Sequence, residues 1–389
     1  MLFLSSPSIS KTERSTSFSA ELTTGNTSQT LLYSIKNGCA ETPFDQRSDA
    51  FVVALLLHAM RTQQDIQFSA PLSERLFYQL EFHLIDFLFK IFSNKGFYRT
   101  KLFGPTASKS MSSNGFVGTG ISCGVDSLSS FVRQSDQRLG SLKLTHLCLF
   151  DTGSHGRSSD EQYSSMKSKR NALASTFAAD HGYPLILCES NVHDVLQDPY
   201  GFAHLFYNIS VVLALQNLFS IYYYASGATV YDFLYSTEDP AYYQPYLMQL
   251  LSTEKTTFYM SESTMSRFDK TKFLSNSPEA RKYLNVCNAS SANCGKCNKC
   301  IRTLLTLDVL GCLNDFQNVF DLVAYRKNKE SFLKYHFLLY LDNDLVHREI
   351  QARSQFSFFT TAFCLACLHF HLRRMKRLIF SVFSLVKAK

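Results

Sequence analysis

The chain has 389 residues, 45% of them hydrophobic, which suits two or three domains with packed cores. No run is long and uniformly apolar enough to read as a membrane span, and repeats and long low-complexity tracts are absent. The net charge of +7 fits an anionic substrate such as ATP, or nucleic acid, but it is modest for this length and much of it sits at the end.

In chain order, the opening Met-Leu-Phe-Leu is too short, and lacks the preceding basic residue, to read as a secretory signal. A cytosolic, reducing setting is therefore expected, in which disulfides are disfavoured. The Ser/Thr-rich stretch 5–30 reads as loose, so residues 1–30 are expected to be a loosely ordered N-terminus. Residues 31–110 read as a separate α+β region. It holds a helix over 49–61, a short strand at 66–68 and a helix over 73–92 that opens on a cap followed by Glu74. Nothing assigns this region an activity, and 107–114 reads as linking.

Residues 116–121 are short, apolar and glycine-interrupted, as a buried strand is. They run into Ser122-Cys123-Gly124-Val125-Asp126-Ser127, then into a helix-forming stretch at 128–134. Strand, small-residue turn, helix is a geometry in which backbone N–H groups converge on an anion. Gly124 is expected to supply positive φ and close approach, and Ser122 and Ser127 to add hydroxyl donors. Asp126 suits a Mg²⁺ that bridges carboxylate and phosphates. The pattern is not G-x-x-x-x-G-K-[ST], so a Walker-type loop is excluded. An ordinary strand-to-helix turn is the competing reading.

Strands are expected at 144–150, 183–188 and 221–225, with helices over 161–181 and 205–219. This alternation predicts a parallel, doubly wound sheet that binds ligands at the carboxyl ends of its strands. The loops 151–156, with His155, and 226–232, with Gly227 and Asp232, follow such ends. His155 reads equally as a solvated loop histidine or as a nucleotide or acid/base contact.

The chain has 11 cysteines, and Cys287, Cys294, Cys297 and Cys300 stand close together. Two C-x2-C steps share Cys297, and Gly295 supplies a tight turn, so the four thiolates suit one tetrahedral Zn²⁺. Lys296 and Lys299 are expected to favour the thiolates. An iron–sulfur cluster competes. A closed four-ligand site has no open position, so its role is expected to be structural. Residues 326–389 read as a helical C-terminal region. Within it, the apolar stretches 356–372 and 378–386 flank a basic cluster at 373–377. This suits either a core helix pair or peripheral contact with an anionic membrane. Cys364 and Cys367 read as core.

Ser122 to Ser127 resembles the S-G-G-x-D-S signature of the PP-loop ATP pyrophosphatases, with Cys123 in place of the first glycine. Together with the cysteine motif and Arg302 after it, the chain is similar to the 7-cyano-7-deazaguanine synthase group of those enzymes over roughly 115–312. The resemblance implies an α/β, adenine nucleotide α-hydrolase-like domain over 115–325, with extra regions at both ends. It implies ATP, Mg²⁺ and Zn²⁺ as cofactors, and adenylation of a carbonyl or carboxylate on an acceptor, followed by displacement of AMP. It places Ser122, Cys123, Gly124, Val125, Asp126, Ser127, His155, Gly227 and Asp232 at the nucleotide. Asp126, Ser127, Arg267 and Lys270 become the catalytic candidates, the last two within the basic segment 266–272. A tRNA-modifying enzyme (thiolation or amidation) and a non-catalytic zinc-containing nucleotide-binding module stay open as alternatives. A homo-oligomer is compatible with either.

Overall fold

The structure, a computed structural model, describes residues 1–36, 43–108, 113–136, 138–154, 156–341 and 344–354. They form two compact units that divide between Met265 and Ser266. The first opens with β1 (Leu2–Leu4), β2 (Ser8–Lys11), β3 (Ser15–Thr24) and β4 (Thr27–Lys36). Short strands follow at β5 (Ile66–Phe68), β6 (Leu72–Ser73), β7 (Leu102–Phe103) and β8 (Thr106–Ala107). The remaining strands are β9 (Phe116–Gly120), β10 (His146–Asp151), β11 (Leu185–Ser190), β12 (Phe219–Ala225) and β13 (Thr257–Ser261).

Strands β9 to β13 are parallel neighbours in the order β13-β12-β9-β10-β11. The chain steps from β9 outward through β10 to β11, then crosses to β12 on the other side of β9. At such a reversal, beyond the carboxyl ends of β9 and β12, ligands of open α/β sheets bind. Packing there is close. A Cβ on Gly118 in β9 would lie 2.6 Å from the Phe219 ring of β12. Thr119 Oγ1 donates to the Tyr223 carbonyl at 2.9 Å and lies 3.1 Å from Ser130 Oγ, tying β9 to β12 and to the helix that follows. That helix, Val125–Ser135, buries Val125, Leu128 and Phe131 at helical spacing.

The expectation of a loose N-terminus over 1–30 is overturned. Strands β3 and β4 form a hairpin across Gly25 and Asn26, with Thr24 opposite Thr27 and Gly25 at φ +58°. That backbone suits glycine at the first turn position. Serine and threonine alternate with Phe18, Ala20 and Leu22, which are buried, so the polar composition marks only one face of a strand. β4 then pairs antiparallel with β11, placing Ile35 opposite Cys188, so the hairpin extends the parallel sheet.

Nor do residues 31–110 stand apart from the parallel sheet. Their helix Asp49–Arg61 is almost wholly buried and packs on the equally buried Tyr200–Ala214, in one continuous apolar core. Polar ties cross the same boundary. Lys255 Nζ lies 2.8 Å from Asp45, and Gln216 donates to Asp49 at 2.7 Å. Burial pushes the Asp49 carboxyl up to about 6 despite that bond and one from the Ser73 N–H. The helix expected over 73–92 is interrupted by a π turn at Leu80–Leu84.

The second unit is helical, with Arg267–Leu274, Pro278–Tyr283, Asn298–Val309, Leu322–Leu341 and Leu345–Arg353. Ser266 and Asp269 form a reciprocal capping box at the start of the first. Among the described residues, no helix is long and apolar enough to cross a membrane. The stretch 356–389, with its basic cluster and Cys364 and Cys367, lies outside them.

Candidate phosphate loop and metal centre

The turn 121–124 leaves the carboxyl end of β9 and enters the helix Val125–Ser135. Gly124 is the N-cap residue, so this helix end has no capping side chain from that position, and the Gly124 N–H lies 3.4 Å from Ser122 Oγ. Ser122 and Ser127 face one another, with hydroxyl oxygens 3.1 Å apart, and the Ser122 N–H donates to Ser127 Oγ at 3.2 Å. Asp126 is half-buried in the first helical turn.

The backbone corrects one expectation. Gly124 is extended, at φ −78° and ψ 171°, and the left-handed residue is Cys123, at φ +59°. The position where the resembled signature carries its first glycine is the one that needs it conformationally. Cys123 occupies it with its side chain buried, and burial pushes the thiol up to about 12. A buried, protonated thiol is a poor nucleophile.

The loop after β12 departs beside this turn, because β12 and β9 are parallel neighbours with Tyr223 opposite Thr119. Gly227 lies there, and a Cβ on it would sit 2.9 Å from that of Ala241. The Gly227 N–H donates to Gln244 at 3.3 Å. Asp232 closes a capping box, accepting from the Thr229 hydroxyl at 2.7 Å. It therefore shapes the loop. His155 lies outside the described residues, between Ser154 and Gly156. Arg267 and Lys270 belong to the second unit, on the helix Arg267–Leu274, where Lys270 is buried and Lys272 is exposed.

A polar cluster at the ends of β10 and β11 escaped the sequence reading. Tyr163 donates to Asp151 at 2.5 Å, and Lys167 lies 2.7 Å from Glu189 and 3.5 Å from Asp151. Burial opposes the Lys167 charge, but Glu189 and Asp151 outweigh it and hold the ammonium charged. Burial and the bond to Asp151 push the Tyr163 phenol up to about 12. The available signal was an aspartate ending a strand, followed by Tyr163 and Lys167 four residues apart on a helix. Nearby, His193 is buried and its Nδ1 has no hydrogen-bond partner among the described residues.

In the second unit, the sulfurs of Cys287, Cys294, Cys297 and Cys300 all lie within 4.8 Å of one another. Cys287 and Cys297 are 3.9 Å apart, and Cys294 and Cys300 are 4.0 Å apart. Four Zn–S bonds of about 2.3 Å place tetrahedral sulfurs about 3.8 Å apart, so this set could hold one such ion. A multi-iron cluster distributes its four thiolates over two or more irons and needs a wider spread. Gly295 takes φ +66°, as the tight turn requires. The N–H groups of Lys296 and Cys297 each point at Cys294 Sγ at 3.4 Å. Burial raises the Cys294 thiol, but these main-chain donors and the neighbouring thiols outweigh it, giving about 7. Backbone dipoles thus favour the thiolate at Cys294. Cys297 occupies the N-cap position of the helix Asn298–Val309 without a side-chain capping bond, and Cys300 sits in its first turn. Arg302 lies inside that helix and lowers the pKa of His347.

No protein-family model, curated protein or solved structure matches this chain.

Proposed function

We propose that the chain is an ATP-dependent adenylating enzyme of the PP-loop type, similar to 7-cyano-7-deazaguanine synthase, built on a doubly wound, adenine nucleotide α-hydrolase-like sheet. The observation that carries this reading is the place of Ser122–Ser127. The segment forms a helix N-terminus with glycine at its N-cap, at the carboxyl end of β9, where the strand order reverses. In this reading Ser122, Gly124, Val125 and Ser127 hold the β and γ phosphates through N–H and hydroxyl donors. Asp126 would hold Mg²⁺, which supplies charge neutralisation at the phosphates. Gly227 and Asp232 shape the loop on the other side of the crevice.

An oxygen of the acceptor carboxylate or carbonyl attacks the α-phosphorus, the bond to the bridging oxygen breaks, and pyrophosphate leaves. A nucleophile then displaces AMP. Positioning and charge neutralisation suffice, so no protein nucleophile is required. The buried Cys123 fits that absence. The cysteine set would hold zinc in a structural role, since all four tetrahedral positions are taken by thiolates.

The test is pyrophosphate and AMP formation from α-labelled ATP with Mg²⁺, in the presence of deazapurine acids, tRNA or cell extract. Wild type should turn over, and Asp126→Ala should lose about 100-fold or more. Stimulation by tRNA alone, abolished by salt, would favour the tRNA-modifying reading. Neither turnover nor ATP binding would leave the non-catalytic module.

A further inference from the structure

Among the described residues, four other than glycine have a left-handed backbone: Gln63 at φ +56°, Cys123 at +59°, Gln197 at +54° and Glu262 at +49°. Such a backbone crowds Cβ against the chain, so each instance asks for a cause. Gln63 and Gln197 stand at the ends of the helices Asp49–Arg61 and Val192–Leu196, where this conformation commonly closes the last turn. Cys123 and Glu262 instead follow strands, at the carboxyl ends of β9 and β13. Those two strands flank β12, whose loop carries Gly227 and Asp232.

Glu262 turns the chain towards that loop. In an extended strand, successive carbonyls point to opposite edges. Here three in a row accept from the same loop. Ser261 O takes the Ser226 N–H at 3.3 Å, Glu262 O the Ser226 hydroxyl at 3.1 Å, and Ser263 O the Val230 N–H at 2.8 Å. The Glu262 side chain braces the turn by accepting from the Ser261 hydroxyl at 2.6 Å. Ser261 Oγ in turn accepts from Gln134 at 3.0 Å, on the helix Val125–Ser135 that follows the proposed phosphate loop. Ser261 and Glu262 thus tie that helix to the loop after β12. A strained backbone persists where surrounding bonds over-determine it, as these do.

We propose that Glu262 is a positioning residue for nucleotide binding: its left-handed turn holds the 226–230 loop in the form that receives ATP. The inference rests on reading that loop as part of the nucleotide site. A residue that served the fold alone would lose nothing on replacement by glycine, which takes this backbone freely.

The experiment compares the full chain with Glu262→Gly, Glu262→Gln and Gln63→Gly. Each is titrated calorimetrically with ATP and Mg²⁺, unfolded in urea, and followed by amide exchange over 226–230. Glycine frees the turn, whereas glutamine keeps the side chain's shape and an acceptor oxygen. Gln63→Gly relaxes a left-handed residue at a helix end, as a control. Glu262→Gly should bind ATP at least about tenfold more weakly. It should also exchange faster over 226–230, while its urea midpoint stays at the wild-type value. Glu262→Gln and Gln63→Gly should bind ATP as wild type does. Equal ATP affinity in Glu262→Gly and wild type would overturn the proposal. So would a parallel fall in the urea midpoint of Glu262→Gly, which would make the role structural. An equal loss of binding in Glu262→Gln with unchanged exchange would also overturn it, by making the carboxylate a direct ligand. Failure of wild type to bind ATP would sink the nucleotide reading, whereas unchanged exchange over 226–230 in Glu262→Gly would sink the positioning role by itself.

Discussion

His336 and His347 place their Nδ1 atoms 2.7 Å apart, both rings fully buried between the helices Leu322–Leu341 and Leu345–Arg353. One neutral ring donates and the other accepts, so the contact is lost when both nitrogens carry protons. Gln351 and Asn298 stand at the outer nitrogens, and Asp344, Arg302 and Tyr335 lie close to the pair. Burial pushes His347 down to about 4, helped by His336 and Arg302 and opposed by Asp344.

The sign follows from that depression. Between pH 4 and the ordinary value of 6.5, the unfolded chain binds more protons at His347 than the folded one. Stability from this group is complete above 6.5 and drains away as pH falls towards 4. Urea midpoints of wild type should therefore fall over that window more steeply than those of His347→Gln. Parallel profiles would show that the pair does not carry the effect.

Metal analysis should find one zinc per chain in protein purified without chelator. Cys294→Ser should lose the metal. Amide exchange over 285–309 should accelerate sharply in that variant, because metal binding in such sites contributes folding free energy directly. Iron, with visible charge-transfer absorption, would replace zinc in the account.

At Cys123 the left-handed backbone separates two substitutions. Cys123→Gly removes a strain of about 1 kcal/mol and a small buried side chain of similar worth, so it should stay within about 1 kcal/mol of wild type. Cys123→Val adds a β-branched side chain at φ +59° and should cost about 2 kcal/mol or more. Urea denaturation distinguishes them. Native protein treated with iodoacetamide at mildly alkaline pH should leave Cys123 unmodified by mass spectrometry.

Phe18 tests the N-terminal strands. Its ring stacks on Phe44 at 5.3 Å and meets Phe51 at 5.0 Å, fully buried. Phe18→Ala should cost about 3–5 kcal/mol in chemical denaturation. An exposed tail residue would cost almost nothing.

The parallel core was legible because its strands are apolar runs punctuated by glycine and small polar turns, and its helices fill the gaps. The four cysteines were legible as a set because close spacing limits where their sulfurs can go. β13 was missed, since Thr257–Ser261 is short, half polar and sits next to Lys255 and Thr256. β3 and β4 were missed for a different reason. Their serine- and threonine-rich composition hides an alternating pattern, although Gly25-Asn26 between alternating residues is a hairpin signal. The assignment of positive φ to Gly124 rather than Cys123 followed residue type, whereas the turn's geometry sets which position is left-handed. The Asp151–Lys167–Glu189 cluster was invisible because two strands and a helix, distant in sequence, bring it together.

The pairing of Ile35 in β4 with Cys188 in β11 also has a consequence for how the chain is made. A ribosome releases β4 long before β11 exists, so the hairpin must wait through the synthesis of β9 and β10 before that edge is available. Its serine- and threonine-rich face keeps it compatible with water during the wait. Conversely, an expression plasmid that began after residue 36 would yield a sheet with β11 as a bare edge over Cys188 to Ser190, ready to pair with a neighbour's strand. The stretch that looks most dispensable by composition is thus the one that should be kept for soluble production.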